Sequence, residues 1–111
     1  MAPPKLPNNE AAIQQVYMAY ARKACEHKRE FLISKDVFRS LIQQNCHYCN
    51  KLPSNKYKKK SSVLIYNGID RKDNDIGYTI DNCVPCCRSC NGSKQKESYK
   101  AFMLRLTLLN K

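Results

Sequence analysis

Apolar residues recur early in the chain at the spacing of one helix face. Ile13, Val16, Tyr17, Tyr20, Ala21 and Ala24 fall at i, i+3, i+4, i+7, i+8 and i+11, which predicts an amphipathic helix from Glu10 to about Glu30. Gln14, Arg22 and Lys23 take its opposite face, and Asn8 or Asn9 can cap its start. Phe31-Leu32-Ile33 reads as extended. Ser34 then offers an N-cap, with Asp36 in the first turn, where negative charge suits the helix dipole. Val37, Phe38, Leu41 and Ile42 give this second helix a buried face, and it should end near Asn45.

The pattern then changes. Asn50 to Ser62 is polar, holds Pro53 and the run Lys56-Tyr57-Lys58-Lys59-Lys60, and is expected to be a loop. Val63 to Tyr66 and Ile69 read as strand, interrupted by Asn67-Gly68. Arg71 to Gly77 is a polar loop, and Tyr78-Thr79-Ile80 a second strand that would pair with the first as a hairpin. A short helix is predicted from about Cys87 to Gln95, weakened by Gly92. Ser98 can cap a final helix, with Phe102, Met103, Leu106 and Leu109 as its core side. The expected organisation is one α+β domain with no internal repeat: a flexible leader (1–9), a helical segment (10–45), a small core (46–97) and a C-terminal helix (98–111).

A chain of 111 residues buries a modest core, and small domains commonly add a disulfide or metal staple. Seven cysteines cannot all pair within one chain. The stretch Met1 to Asn9 has no apolar core of the signal-peptide kind. The expected setting is therefore intracellular and reducing, where clustered cysteines mean metal. Cys46-His47-Tyr48-Cys49 and Cys87-Arg88-Ser89-Cys90 are two Cys-x-x-Cys turns, together the donor set of a closed, structural zinc site. Cys83-Val84-Pro85-Cys86 is a third such spacing, but its proline removes an amide useful to a thiolate turn. Cys87 and Cys90 are preferred, with Cys83 and Cys86 as buried packing residues. Cys25 is expected to pack in the first helix, and His47 to be a partly exposed turn residue.

Twenty Lys and Arg against nine Asp and Glu give a formal charge of +11. Such a balance favours a polyanionic partner, nucleic acid before membrane. No apolar run approaches the roughly 18 residues of a membrane helix.

In this context the order of motifs resembles a zinc-bearing HNH endonuclease (a His-Me finger, or ββα-metal, nuclease). The likeness rests on Cys-His-Tyr-Cys, Tyr66-Asn67-Gly68-Ile69-Asp70-Arg71, Gly77-Tyr78-Thr79, Asp81-Asn82 and Cys87-x-x-Cys90-Asn91-x-x-Lys94. It is closest to the phage- and virus-type branch, with Gly-Ile-Asp-Arg in place of Asp-His. The resemblance implies a ββα core braced by zinc between two flanking helices, and hydrolysis of DNA phosphodiester bonds, with RNA as the other candidate partner. It implies that Asp70 and Asn91 hold a catalytic Mg²⁺ or Mn²⁺, that Asn82 holds the loop and the base in place, and that Lys94 faces the phosphate backbone. Hard cations of this kind take oxygen ligands and keep several waters. Arg71 stands where the family has its general-base histidine. A guanidinium stays protonated, so Arg71 is expected to clamp a phosphate, leaving Asp73, Asp75 or Tyr78 to activate water. Lys58, Lys59 and Lys60 are further candidate phosphate contacts. The other reading of the same chain is a degenerate zinc module that binds DNA or RNA without cutting.

Overall fold

In the computed structural model, residues 7–59 and 62–109 are described. Met1 to Leu6 of the expected leader, Lys60 and the side chain of Lys59 lie outside them. Four helices and two small antiparallel sheets follow in the order α1 (Pro7–Glu26), α2 (Lys35–Ile42), β1 (Asn55–Lys59), β2 (Ser62–Tyr66), β3 (Gly68–Arg71), β4 (Cys83–Cys86), α3 (Arg88–Lys94) and α4 (Tyr99–Leu109). The sheets are β1–β2 and β3–β4.

Helix α1 uses the predicted stripe: Ile13, Val16 and Ala24 are buried, with Tyr17 and Tyr20 packed against the same cluster. It begins at Pro7, so Asn8 and Asn9 lie inside its first turn rather than capping it. It stops at Glu26, and Lys28 has φ 57°, a left-handed conformation that ends a helix. Cys25 is exposed rather than packed, because it follows Ala24 by the roughly 100° that separates neighbours on a helix. Helix α2 keeps its predicted cap, with Ser34 Oγ accepting from the Val37 amide at 3.1 Å. Glu10 joins the two helices by accepting from Arg39 Nε at 3.1 Å and Nη2 at 2.9 Å.

Three expectations about the strands are corrected. The lysine-rich stretch is not all loop: Asn55–Lys59 pairs with Ser62–Tyr66. Tyr57 alternates with Lys56 and Lys58, a period of two that lets one face pack while the lysines stay in water. Val63–Tyr66 and Ile69 are not one strand. Asn67 turns the chain between sheets, donating from Nδ2 to Gln44 O at 2.9 Å and Lys51 O at 3.3 Å. Gly68 follows because a Cβ there would lie 2.5 Å from the Tyr20 hydroxyl, which accepts from the Ile69 amide at 3.1 Å. The partner of β3 is Cys83–Cys86, not Tyr78–Ile80. Tyr78 makes one isolated bridge to Phe31, and Ile80 is 63% exposed. Pro85 is tolerated in β4 because the sheet has only two strands, so its missing amide leaves no ladder bond unmade.

Helix α4 has its predicted cap, Ser98 Oγ accepting from the Ala101 amide at 3.1 Å. Its stripe is only partly core. Phe102 is fully buried, while Leu109 is 70% exposed. Among the described residues no helix is long and apolar enough to cross a membrane.

Candidate active site and metal centre

Two turns from distant parts of the chain bring four cysteines together. Cys46 and Cys49 lie in the turn after α2, and Cys87 and Cys90 at the start of α3. Asn50 has φ 65°, a conformation that asparagine tolerates, and its amide donates to Cys46 O at 2.9 Å. Cys87 caps α3, its Sγ accepting from the Cys90 amide at 3.4 Å. The four Sγ atoms lie within 4.8 Å of one another, and those of Cys49 and Cys87 are 3.7 Å apart. A tetrahedral ion with metal–sulfur bonds of ~2.3 Å needs sulfur–sulfur edges of roughly 3.8 Å, so the cluster fits one metal ion.

Burial and neighbouring groups shift the thiols in different directions. Burial and then neighbouring thiols push Cys49 and Cys90 up. At Cys46 burial is outweighed by the backbone of Cys87, Cys49 and Tyr48, and the thiol comes down to about 7. A bound cation would supply positive charge that favours the thiolate form. Cys83 and Cys86 stay outside the cluster, buried in β4. His47 is exposed and lies outside the cluster too. Its Nε2 is 2.8 Å from the Tyr99 hydroxyl.

The second centre is built on β3. Side chains alternate along a strand, so Ile69 enters the apolar core while Asp70 points to the other face. Asp70 is 9% exposed. Its Oδ2 accepts from the Tyr48 hydroxyl at 2.7 Å and lies 3.3 Å from Lys94 Nζ. Tyr48 sits between Cys46 and Cys49, so the cysteine turn itself grips the carboxylate. Burial first, then Asp70, raises the Tyr48 hydroxyl far above its ordinary value, which keeps it a donor.

Lys94 corrects an expectation. It is 1% exposed and faces inward, one turn after Cys90 on the buried side of α3. Nζ also donates to Arg71 O at 3.2 Å. It steadies Asp70 and the end of β3 rather than facing a phosphate. Arg88 and Asn91 are exposed on α3, one turn apart, and Gln95 caps its C-terminal end.

Asp70, Arg71 and Asn91 line one open cavity of about 420 Å³. Lys23 and Arg29 add two cations to its wall, and Tyr78 and Gln95 complete it. Arg71 is partly committed: Nη1 donates to Asn74 O at 2.6 Å and Ile76 O at 3.1 Å, and the guanidinium lies 5.6 Å from the centre of the Tyr78 ring. Asn82 is not in this cavity. It is 6% exposed and ties the loop: Oδ1 accepts from the Asp73 amide at 2.8 Å, and Nδ2 donates to Asp73 O, Ile76 O and Gly77 O at 3.0–3.1 Å. Of the three candidate bases, Tyr78 shares the cavity with Asp70, whereas Asp73 and Asp75 line a neighbouring one with Tyr99 and Asn82. Lys58 is exposed on β1. Sequence reasoning missed Tyr48, Lys23 and Arg29. The signal for Tyr48 was its place inside a cysteine turn; for the two cations there was none, since only tertiary folding brings the end of α1 to β3.

No family model matches the chain. It is 38% identical over 95 residues to the uncharacterized protein R423 of Acanthamoeba polyphaga mimivirus, a stretch covering 85% of this chain and 16% of that protein. The chain therefore spans a small part of the curated relative it matches, and a viral relative fits the phage- and virus-type likeness. Among solved structures it is similar to the rare-cutting HNH restriction endonuclease PacI, with a TM-score of 0.66 and 18% identity, covering 87% of this chain and 75% of that one. The hairpin β3–β4 followed by α3 is the ββα order. The chain thus has the α+β fold of an HNH endonuclease, with a four-cysteine cluster at the start of its central helix.

Proposed function

We propose that the chain is a metal-dependent HNH-type endonuclease or nickase that hydrolyses DNA phosphodiester bonds. One observation carries this reading: Asp70 at the end of β3 and Asn91 on α3 open into a single cavity walled by Arg71, Lys23 and Arg29. A carboxylate and an amide oxygen suit a hard cation, and three cations around them suit a phosphate. Zn²⁺ is the structural ion, held by Cys46, Cys49, Cys87 and Cys90. Mg²⁺ or Mn²⁺ is the catalytic ion, held by Asp70 and Asn91. When bound, that ion polarises the scissile phosphate and stabilises charge on the leaving oxygen.

The chain's own groups supply the rest. Tyr48 and Lys94 both contact Oδ2 of Asp70, fixing the carboxylate's orientation. Arg71 steadies negative charge on the phosphate, and its bonds to Asn74 O and Ile76 O tie it to the loop that Asn82 fastens. Tyr78 shares the cavity and is the group proposed to orient the attacking water through its hydroxyl oxygen; a phenol that carries its own proton cannot take a second, so the water's proton passes to solvent. The PacI structure is described as an endonuclease that perturbs DNA, and a DNA substrate is the expectation here.

A second reading, binding without cleavage, is favoured by Lys94: a cation already sits 3.3 Å from the carboxylate that would hold the metal. A plasmid-nicking series across Mg²⁺, Mn²⁺ and Ca²⁺, with zinc content measured on the same sample, separates the two. Nicking that is lost in Asp70→Ala and Asn91→Ala while zinc stays bound supports the nuclease. No cleavage with any divalent ion by zinc-loaded protein supports the binder.

A further inference from the structure

We infer that the outer face of the β1–β2 hairpin, with the groove it forms against the start of α3, is a ribbon that enters the major groove of duplex DNA. This rests on the nucleic-acid reading above but not on cleavage.

The hairpin has two unlike faces. Leu64 is 3% exposed, and Tyr57 and Tyr66 pack beside it on the core. The other face carries Lys56 opposite Ile65 and Lys58 opposite Val63. Ile65 is 50% exposed and Val63 37%; Lys56 and Lys58 are exposed too. Two β-branched side chains on β2 thus stand in water beside two long cations on β1. Between Asn50 and Ile69 the chain has Lys51, Lys56, Lys58, Lys59 and Lys60 and no Asp or Glu. A surface of one charge sign beside an apolar pair fits a polyanion with an apolar floor. It does not fit a second copy of itself, which would set lysine against lysine.

Duplex DNA offers that combination. Its major groove is about 12 Å wide, admits a two-stranded ribbon and displays the thymine methyl. Phosphates on both rims suit lysines that position the protein while the groove floor is read. A-form RNA has a deep, narrow major groove that side chains cannot read. The hairpin is also joined to the cavity. Lys56 shares a groove of about 480 Å³ with Lys51, Arg88 and Ser89. Arg88 stands one turn before Asn91 on α3, and Asn91 lines the cavity of Asp70.

The test is fluorescence anisotropy of the zinc-loaded full chain on a mixed-sequence DNA duplex, over a salt series and without added Mg²⁺ or Mn²⁺. Loss of the proposed cleavage therefore leaves the test intact. Lys56→Gln with Lys58→Gln should weaken binding about tenfold or more and lower the log–log salt slope by about two. Val63→Ser with Ile65→Ser should leave that slope unchanged but flatten the preference between A·T-rich and G·C-rich duplexes. DNA duplex should compete better than double-stranded RNA. Lys58→Gln alone, with circular dichroism and zinc content, guards against a folding artefact and should shift the slope by about one. Unchanged slopes in the lysine variants, equal competition by RNA, or self-association abolished by the Val63 and Ile65 changes would each overturn the inference.

Discussion

The two buried clusters of the molecule are made of different material. One gathers Ile13, Val16, Ile33, Phe38, Ile42, Leu64 and Ile69 from α1, the segment before α2, α2, β2 and β3, and is apolar packing. The other gathers Cys46, Cys86, Cys87 and Cys90 around Phe102, with Tyr48 and Leu106 half-buried against it. It has one large buried hydrophobic side chain where the first has several. The halves of the proposed active site divide between them. Asp70 follows Ile69, whose side chain is anchored in the apolar cluster. Asn91 follows Cys90, whose side chain is anchored in the thiols. One half is therefore held by the hydrophobic effect, and the other by whatever holds the sulfurs of Cys46, Cys49, Cys87 and Cys90 together.

Removing the metal should separate the two clusters most severely. Structural zinc in small domains contributes an apparent ~10–16 kcal/mol that appears as folding energy. Chelation, or Cys87→Ser, should release α3, α4 and the Cys46–Cys49 turn, while α1 to β2 keep part of their order. Hydrogen exchange resolved along the sequence checks this: amides of residues 88–94 and 99–109 should lose protection first. Equal loss in α1 would show that the clusters form one cooperative unit.

The complementary break is Phe38→Ala. Phe38 is fully buried, and its ring meets those of Tyr17 and Tyr20 edge-on at 5.3 and 5.5 Å. Loss of a buried phenyl should cost ~3–5 kcal/mol, read from urea midpoints of zinc-loaded protein. Zinc stoichiometry should not change, because no atom of Phe38 belongs to the thiol cluster.

The two regions were also unequally legible in the sequence. The stripe from Ile13 to Ala24 and the caps Ser34 and Ser98 were readable because each depends on neighbours a few residues away. The pairing of Cys46, Cys49, Cys87 and Cys90 was readable because two short turns carry the donor spacing. Strand β4 was not. Cys83-Val84-Pro85-Cys86 is buried on both faces, so it shows no alternation, and its proline argues against a strand that is in fact an edge. Tyr78 to Ile80 looked like strand because of its residue types, but Tyr78 gives its amide to Glu30 O and its carbonyl to the Leu32 amide, and Thr79 O is taken by the Asn82 amide. Lys94 looked like a phosphate contact because charge alone does not say which side of a helix faces water.

Tyr48 joins the regions, and Tyr48→Phe sharpens the comparison at their seam. The change removes the hydroxyl that donates to Asp70 Oδ2 at 2.7 Å and leaves the ring 4.8 Å from Phe102. A hydrogen bond to a charged group contributes ~1.5–3 kcal/mol, so stability should fall within that range. Mn²⁺ affinity, followed by electron paramagnetic resonance, should weaken because the carboxylate loses a fixed orientation. Zinc content should stay the same, and a variant that also lost zinc would mean the hydroxyl holds the cysteine turn rather than Asp70.

The smallest effect expected is also the one that tells the two kinds of cysteine apart. Cys83 belongs to the apolar cluster, and burial pushes its thiol from 9.0 up to about 11. Below pH 9 the thiol is protonated in both folded and unfolded chains and exerts no pH dependence. Between about pH 9 and 11 the unfolded chain releases the proton and the folded chain keeps it, so stability falls as pH rises, by on the order of 2 kcal/mol. The zinc cysteines respond oppositely: protons compete with the metal for thiolates, so their contribution is lost as pH falls. Urea midpoints of zinc-loaded wild type and Cys83→Ala from pH 7.5 to 10.5 should diverge above pH 9, with the variant showing the flatter decline. Parallel curves would mean that Cys83 is solvated when folded, and that the apolar cluster is looser around β4 than its burial of 5% exposure implies.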